Sequence, residues 1–169
     1  TAACLCVLMA SLVFYGKMYR FDTQEVLQTV YTPPVWESAR AEGFSTPEAA
    51  RVNHRIAQWY SEEKNDSLVN YYQQLSATGK VSFLTEKSKM LAGIACLHQG
   101  RIEQAYVLAK ELQKGENKEV GDWLLLGCLL YDGKREEALN LAFCISKKGF
   151  FYSEEAQKVY DVLNQRRWF

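Results

Sequence analysis

Apolar residues along this chain recur every three to four positions, and the runs they form are closed by glycine, proline or polar turns. That period predicts helices with one apolar stripe each. Asp22 followed by Glu25 reads as a capping box, opening a helix through Tyr31 with Val26, Leu27, Val30 and Tyr31 on one side. Pro33-Pro34 stops it, and a short helix over Val35 to Glu42 is expected next, ended by Gly43. Thr46 then reads as an N-cap, with Pro47 in the first turn and Glu48 at the positive end of the dipole. This helix should reach about Glu63 and carry Val52, Ile56, Trp59 and Tyr60 on its stripe. Lys64 to Ser67 reads as a turn. A helix from Leu68 to Ala77 follows, broken at Gly79-Lys80.

Further helices are expected from Thr85 to Gly100, Ile102 to Lys114, Glu119 to Asp132 and Arg135 to Lys147. Gly115-Glu116-Asn117 is a loop, Gly149 a stop, and Ser153 the cap of a last helix bearing Ala156, Val159, Tyr160 and Leu163. Arg166 and Arg167 complement the negative end of its dipole. No stretch alternates with a period of two, so the expected class is all-α.

Two of these segments say nearly the same thing. Ala95 to Tyr106 (ACLHQGRIEQAY) is followed, thirty-three residues on, by Cys128 to Leu139 (CLLYDGKREEAL). A period of that size marks stacked helical hairpins, whose folds bind other molecules more often than they do chemistry.

Composition changes this picture little. Lys plus Arg is 20 and Asp plus Glu is 20. Zero net charge argues against a dedicated nucleic-acid or anionic-membrane binder. No proline follows Pro47, which permits long helices. The cysteines are Cys4 and Cys6 in an apolar run, and Cys96, Cys128 and Cys144 at positions that read as helix core. No CxxC and no zinc spacing occurs, so buried free thiols are expected, which favours a reducing compartment.

The N-terminus is the second informative feature. Residues 1–16 carry no charge, and the first charges are Lys17 and Arg20. Three readings compete: the end of a membrane anchor whose start lies upstream, a buried or partner-docked helix, and a signal-peptide core. Tyr15, Lys17 and Tyr19 suit a membrane interface and equally a helix end at a protein surface. Lys17 and Arg20 lean toward a cytoplasmic placement, Asp22 and Glu25 offset them, and both orientations stay open. The chain thus divides into an apolar helix at 1–20 as a possible membrane anchor, a helical linker region at 21–46, and a repeat domain at 47–169.

At the repeated segments the chain resembles the tetratricopeptide-repeat superfamily and its relative, the pentatricopeptide repeats. Trp123, Leu126 and Gly127 match the W-x2-L-G of a tetratricopeptide first helix. Gly133 stands at the hairpin turn, and Ala138 and Ala142 match the small residues of the second helix. In the other copy Gly100, Ala105 and Ala109 match, while Met90 and Ile94 depart from the pattern. The resemblance covers 86–148 and extends to a degenerate pair at 47–77. It implies a short α-solenoid of two to three hairpins with a C-terminal capping helix at 153–166.

Such arrays use the inner face of their first helices as a peptide groove. Carried onto this sequence, that face comprises Leu91, Ala95, His98, Leu124, Cys128 and Tyr131. The basic and amide set that clamps a peptide carboxylate is absent from it, so an apolar or amphipathic segment is the implied protein partner. The competing reading is that several of these residues are core. Trp168-Phe169 at the chain end reads as a tail that folds back or docks into a partner.

The remaining candidates are weak. His54 and His98 have no neighbours at a catalytic spacing, and no phosphate loop, HExxH or GxSxG occurs. Neither a catalytic residue nor a cofactor or metal site is expected. Asn65-Asp66-Ser67 is a formal glycosylation sequon. The reading is a non-enzymatic interaction scaffold or adaptor, membrane-associated, in a multiprotein assembly of secretion, pilus or organelle-membrane type. Two alternatives stand beside it. One is an RNA-associated pentatricopeptide-like protein, opposed by neutral charge and few repeats. The other is an accessory subunit of a large membrane enzyme complex.

Overall fold

The computed structural model describes residues 22–34, 46–149 and 151–165. The apolar segment 1–20, the expected helix over 35–42, Arg166, Arg167 and the Trp168-Phe169 tail lie outside the described residues. The described chain is all-α, with eight α-helices, one short 3-10 helix and no strand among the described residues. In order these are α1 (Thr23–Thr29), α2 (Pro47–Ser61), α3 (Asn65–Ala77), the 3-10 helix (Lys80–Phe83), α4 (Glu86–His98), α5 (Ile102–Leu112), α6 (Lys118–Tyr131), α7 (Arg135–Ser146) and α8 (Ser153–Asn164).

The helices from α2 to α7 pair as hairpins: α2 with α3, α4 with α5, α6 with α7. All three turns are built alike. At the second, Gly100 adopts φ +67°, its N–H donates to the Leu97 carbonyl, and the Arg101 N–H reaches back to Cys96 at 2.8 Å. At the third, Gly133 (φ +72°) bonds Leu130 and Lys134 bonds Leu129. This double bond pattern around one left-handed residue satisfies the last helix carbonyls. The first turn uses the same bonds, Glu63 to Tyr60 and Lys64 to Trp59, but places Glu63 at φ +55°. The turn expected at 64–67 therefore lies one residue or more earlier, and Asn65, Asp66 and Ser67 are helical.

Most other expected boundaries hold to within two residues. Thr46 caps α2 by accepting from the Ala49 N–H at 3.1 Å, and Thr85 caps α4 through the Ser88 N–H. Two expectations need correction. Ser153 is not an N-cap: Tyr152 takes that position, while the Ser153 hydroxyl donates to the Ile145 carbonyl and ties α8 to α7. Cys144 is exposed rather than core, because α7 buries the Ala138–Ala142–Ile145 stripe and residue 144 lies on the far side of the helix.

Packing follows the small residues. A Cβ on Gly93 of α4 would meet Leu124 Cδ2 at 2.5 Å, so α6 seats a leucine directly on the α4 backbone. Gly121 of α6 abuts the end of α5, with Gln113 N at 2.5 Å from where its Cβ would stand. Side chains that bridge elements finish the frame. Asn53, buried on α2, donates to the Ala49 and Phe83 carbonyls and accepts from the Thr85 N–H. Asp122, buried on α6, accepts from Gln113 and from Lys148, each at 2.6 Å. The Glu86 carboxylate holds the Glu116 and Asn117 amides of the next turn.

Candidate partner-binding face

An amphipathic helix buries one stripe, and a helix apolar all round must be covered on every side. α4 and α6 are of the second kind: residues 90–97 and 120–130 are all buried. Helix α4 is packed by α2, α3, α5 and α6, and α6 by α4, α5 and α7. On α6 the cover is completed by α1, the extended residues after it and Tyr152 at the start of α8. The 21–46 region, read from sequence as a linker, thus contributes residues 22–34 to the core, with Val26 fully buried and Tyr31 nearly so.

The seat of this segment is built around Trp123. Its indole is sandwiched between Tyr31 (centroids 5.0 Å apart) and Tyr152 (5.1 Å, rings nearly parallel). Trp123 Nε1 donates to the Thr32 carbonyl at 2.8 Å, and the Tyr31 hydroxyl donates to the Trp123 carbonyl at 3.1 Å. Burial, with Cys128 and Tyr152 alongside, holds the Tyr31 hydroxyl protonated well above the ordinary tyrosine range, so it is a donor at neutral pH. The ring lies over Gly127: a Cβ there would stand 2.6 Å from its Cζ and Oη. At the other end Gln24 Nε2 donates to the Tyr131 carbonyl at 2.7 Å, satisfying one of the carbonyls that the α6 C-terminus leaves open.

The six residues assigned to a groove separate into two groups. Leu91, Ala95, Leu124 and Cys128 are buried and do not line an open groove. Leu124 packs on Gly93, and Cys128 lies beside Cys96 and Tyr31. Burial pushes the Cys96 and Cys128 thiols up to about 12, which makes them inert. His98 is exposed and Tyr131 half-buried, and these two do line a cleft of about 410 Å³. Its other walls are Gln24, Leu27, Gln28, Tyr31, Pro33 and Leu97. The groove expectation failed for four residues because a first-helix stripe is a groove only where nothing lies on it. His54 is exposed on α2, away from this cleft.

The chain matches no protein-family model, no curated protein and no solved structure. Among the described residues, no three His, Cys, Asp or Glu side chains are grouped to hold a metal ion, and no helix is long and apolar enough to cross a membrane.

The residues that sequence reasoning missed are Gln24, Leu27, Tyr31 and Pro33, all from the supposed linker. Their signal was present in part: an apolar stripe at Val26, Leu27, Val30 and Tyr31 on a helix too short to stand alone must find a partner surface.

Proposed function

We propose that this protein is a non-enzymatic interaction scaffold of the tetratricopeptide-like helical-hairpin type, tethered through residues 1–16 and serving as a membrane-associated subunit of a multiprotein assembly. The observation that carries this reading is the use made of the first-helix face. The face of α6 carries a short helix and an extended exit, held by aromatic stacking and by hydrogen bonds to backbone carbonyls. That is the chemistry by which a helical groove takes an amphipathic peptide. Beside it, the cleft walled by Leu27, Pro33, Leu97, His98 and Tyr131 leaves apolar surface with two polar handles open to a protein partner.

Three hairpins with the same turn geometry, and glycines where helices touch, support the repeat assignment. The test is capture of partners by the tagged full chain after crosslinking in native membranes. A stoichiometric partner, lost on His98→Glu or Tyr131→Glu in a chain of unchanged helicity, is the expected result. A monodisperse full chain that captures nothing above the level of the His98→Glu variant would overturn the reading.

A further inference from the structure

The first and last described residues stand at one edge of the array. α1 runs antiparallel to α6: Gln24 bonds the Tyr131 carbonyl near its start, and Tyr31 bonds the Trp123 carbonyl beyond its end. Asp22, the N-cap of α1, is therefore at the α6 C-terminus, beside the Gly133 turn. α8 runs antiparallel to α7, with Ser153 bonded to the Ile145 carbonyl and the Tyr160 ring against Phe143. It starts level with Trp123, on which Tyr152 stacks. A helix of 12 residues is about 18 Å long, and α6 ends about 12 Å beyond Trp123, so α8 reaches the same edge. The Gly100 turn, under the Tyr131 hydroxyl, completes it.

The two flanks attached at this edge share one chemistry. Residues 17–21 (KMYRF) and 166–169 (RRWF) each carry two basic residues, two aromatic rings and no acidic residue. Tyr19 is three residues from Asp22, and Trp168 three from Gln165. Covalent geometry alone keeps each Cα within about 11 Å of the edge, whatever path the chain takes. Long basic side chains and large rings are what settles at a bilayer interface.

We propose that this edge faces an anionic phospholipid surface and is held there at two points, 17–21 before α1 and 166–169 after α8. A single tether leaves the array free to swing. A second contact on the same edge fixes its orientation, because the second binding step is then intramolecular. Zero net charge over the whole chain does not oppose this. Attraction to anionic headgroups decays over a Debye length, about 8 Å at physiological salt, so only groups at the near edge count. Asp22, Glu25, Asp132, Glu136 and Glu137 offset Arg101, Lys134 and Arg135 there, and the basic excess belongs to the flanks. This inference rests on the membrane tether of the scaffold reading and adds which edge meets the lipid and what holds it.

The test uses the full chain in vesicles of phosphatidylcholine and phosphatidylglycerol that carry a nitroxide on the headgroup. A fluorophore is placed on one introduced cysteine, in a background of Cys4→Ser, Cys6→Ser and Cys144→Ser; Cys96 and Cys128 are buried. Arg101→Cys and Lys134→Cys report the near edge. Lys87→Cys and Lys118→Cys report the starts of α4 and α6, about 20 Å away, and all four positions are exposed. The expected result is quenching at 101 and 134 and none at 87 and 118. Adding Arg166→Glu, Arg167→Glu and Trp168→Ala should abolish most of the near-edge quenching at unchanged helicity. Vesicles of phosphatidylcholine alone should quench less. Equal quenching at both edges, an unchanged signal in the tail variant, or no dependence on phosphatidylglycerol would overturn the proposal. In each of those cases the chain still floats with the vesicles and the tether stands. A chain that does not float removes the tether reading, and this inference with it.

Discussion

Replacing Gly127 by alanine isolates the contact on which the α6 face depends. The added methyl would stand 2.6 Å from Tyr31 Cζ and Oη and 3.0 Å from Cε1, well inside contact distance. The ring cannot simply swing away, because it is stacked on Trp123 and its hydroxyl is hydrogen-bonded to the Trp123 carbonyl. Overpacking of this kind costs about 1–3 kcal/mol. The same substitution favours the helix by about 1 kcal/mol, because alanine is the better helix former. Gly127→Ala alone should therefore change stability by between about 0 and 2 kcal/mol, in the destabilising direction.

The decisive comparison is with the Tyr31→Ala background. Removing the ring should itself cost about 3–5 kcal/mol. In that background the obstacle is gone, only the propensity gain is left, and Gly127→Ala should stabilise by about 1 kcal/mol. The coupling energy between the two sites is thus expected at about 1–3 kcal/mol. Urea denaturation followed by Trp fluorescence and by helical circular dichroism supplies all four corners of the cycle. If the two substitutions add within about 0.5 kcal/mol, or if Gly127→Ala stabilises the wild-type chain, Tyr31 does not sit on Gly127 and the seat described above is wrong.

Gly121→Ala should be the harsher glycine substitution. Its obstacles are backbone atoms of α5 (Gln113 N at 2.5 Å, Ala109 O at 2.9 Å), so a midpoint loss smaller than that of Gly127→Ala would contradict the packing. Glu63→Gly should stabilise by about 0.5–1 kcal/mol, since a non-glycine residue at φ +55° carries a left-handed penalty; a loss in thermal midpoint would refute the turn assignment. Asn53→Ala removes the donor to the Phe83 carbonyl and the acceptor of the Thr85 N–H that join α2 to the 83–85 turn, together with the bond back to Ala49, and should cost about 2–3 kcal/mol in denaturant unfolding.

Burial raises Cys96 and Cys128 from 9.0 to about 12, and Tyr72 from 10.0 to about 12. The folded chain therefore holds these protons more tightly than the unfolded one, and their contribution is complete below about pH 9 and lost as pH rises toward 12. Denaturant midpoints at stepped alkaline pH should fall accordingly. At pH 8 a thiol reagent mapped by mass spectrometry should modify Cys144 while sparing Cys96 and Cys128.

Much of the fold was legible because its signals are local. Thr46-Pro47, the positive-φ glycines at 100 and 133 and the apolar period each act within one or two helical turns, so helix positions followed from the residues around them. The first hairpin turn was misread for a local reason too: its left-handed position is filled by Glu63, which carries no glycine signature. Cys144 was misread because an apolar residue near a helix end fits either face until the neighbour is known. The groove residues were misread for a non-local reason. Leu91, Ala95, Leu124 and Cys128 carry the right stripe, but whether a stripe faces a ligand or the chain itself depends on what packs there, and the covering residues are distant in sequence: Leu124 lies on Gly93 of another hairpin, and Cys128 lies beside Tyr31 of the N-terminal segment.

The sequence alone determined an all-α chain of paired helices, because helix period, caps and glycine turns are short-range properties. Only the tertiary structure decided that residues 22–34 lie on α6, that Trp123 is clamped between Tyr31 and Tyr152, and that a cleft stays open beside Leu27, His98 and Tyr131. The reason is physical. A helix apolar all round states that it must be covered, and which distant segment covers it is settled by shape, here a ring that fits where Gly127 has no side chain.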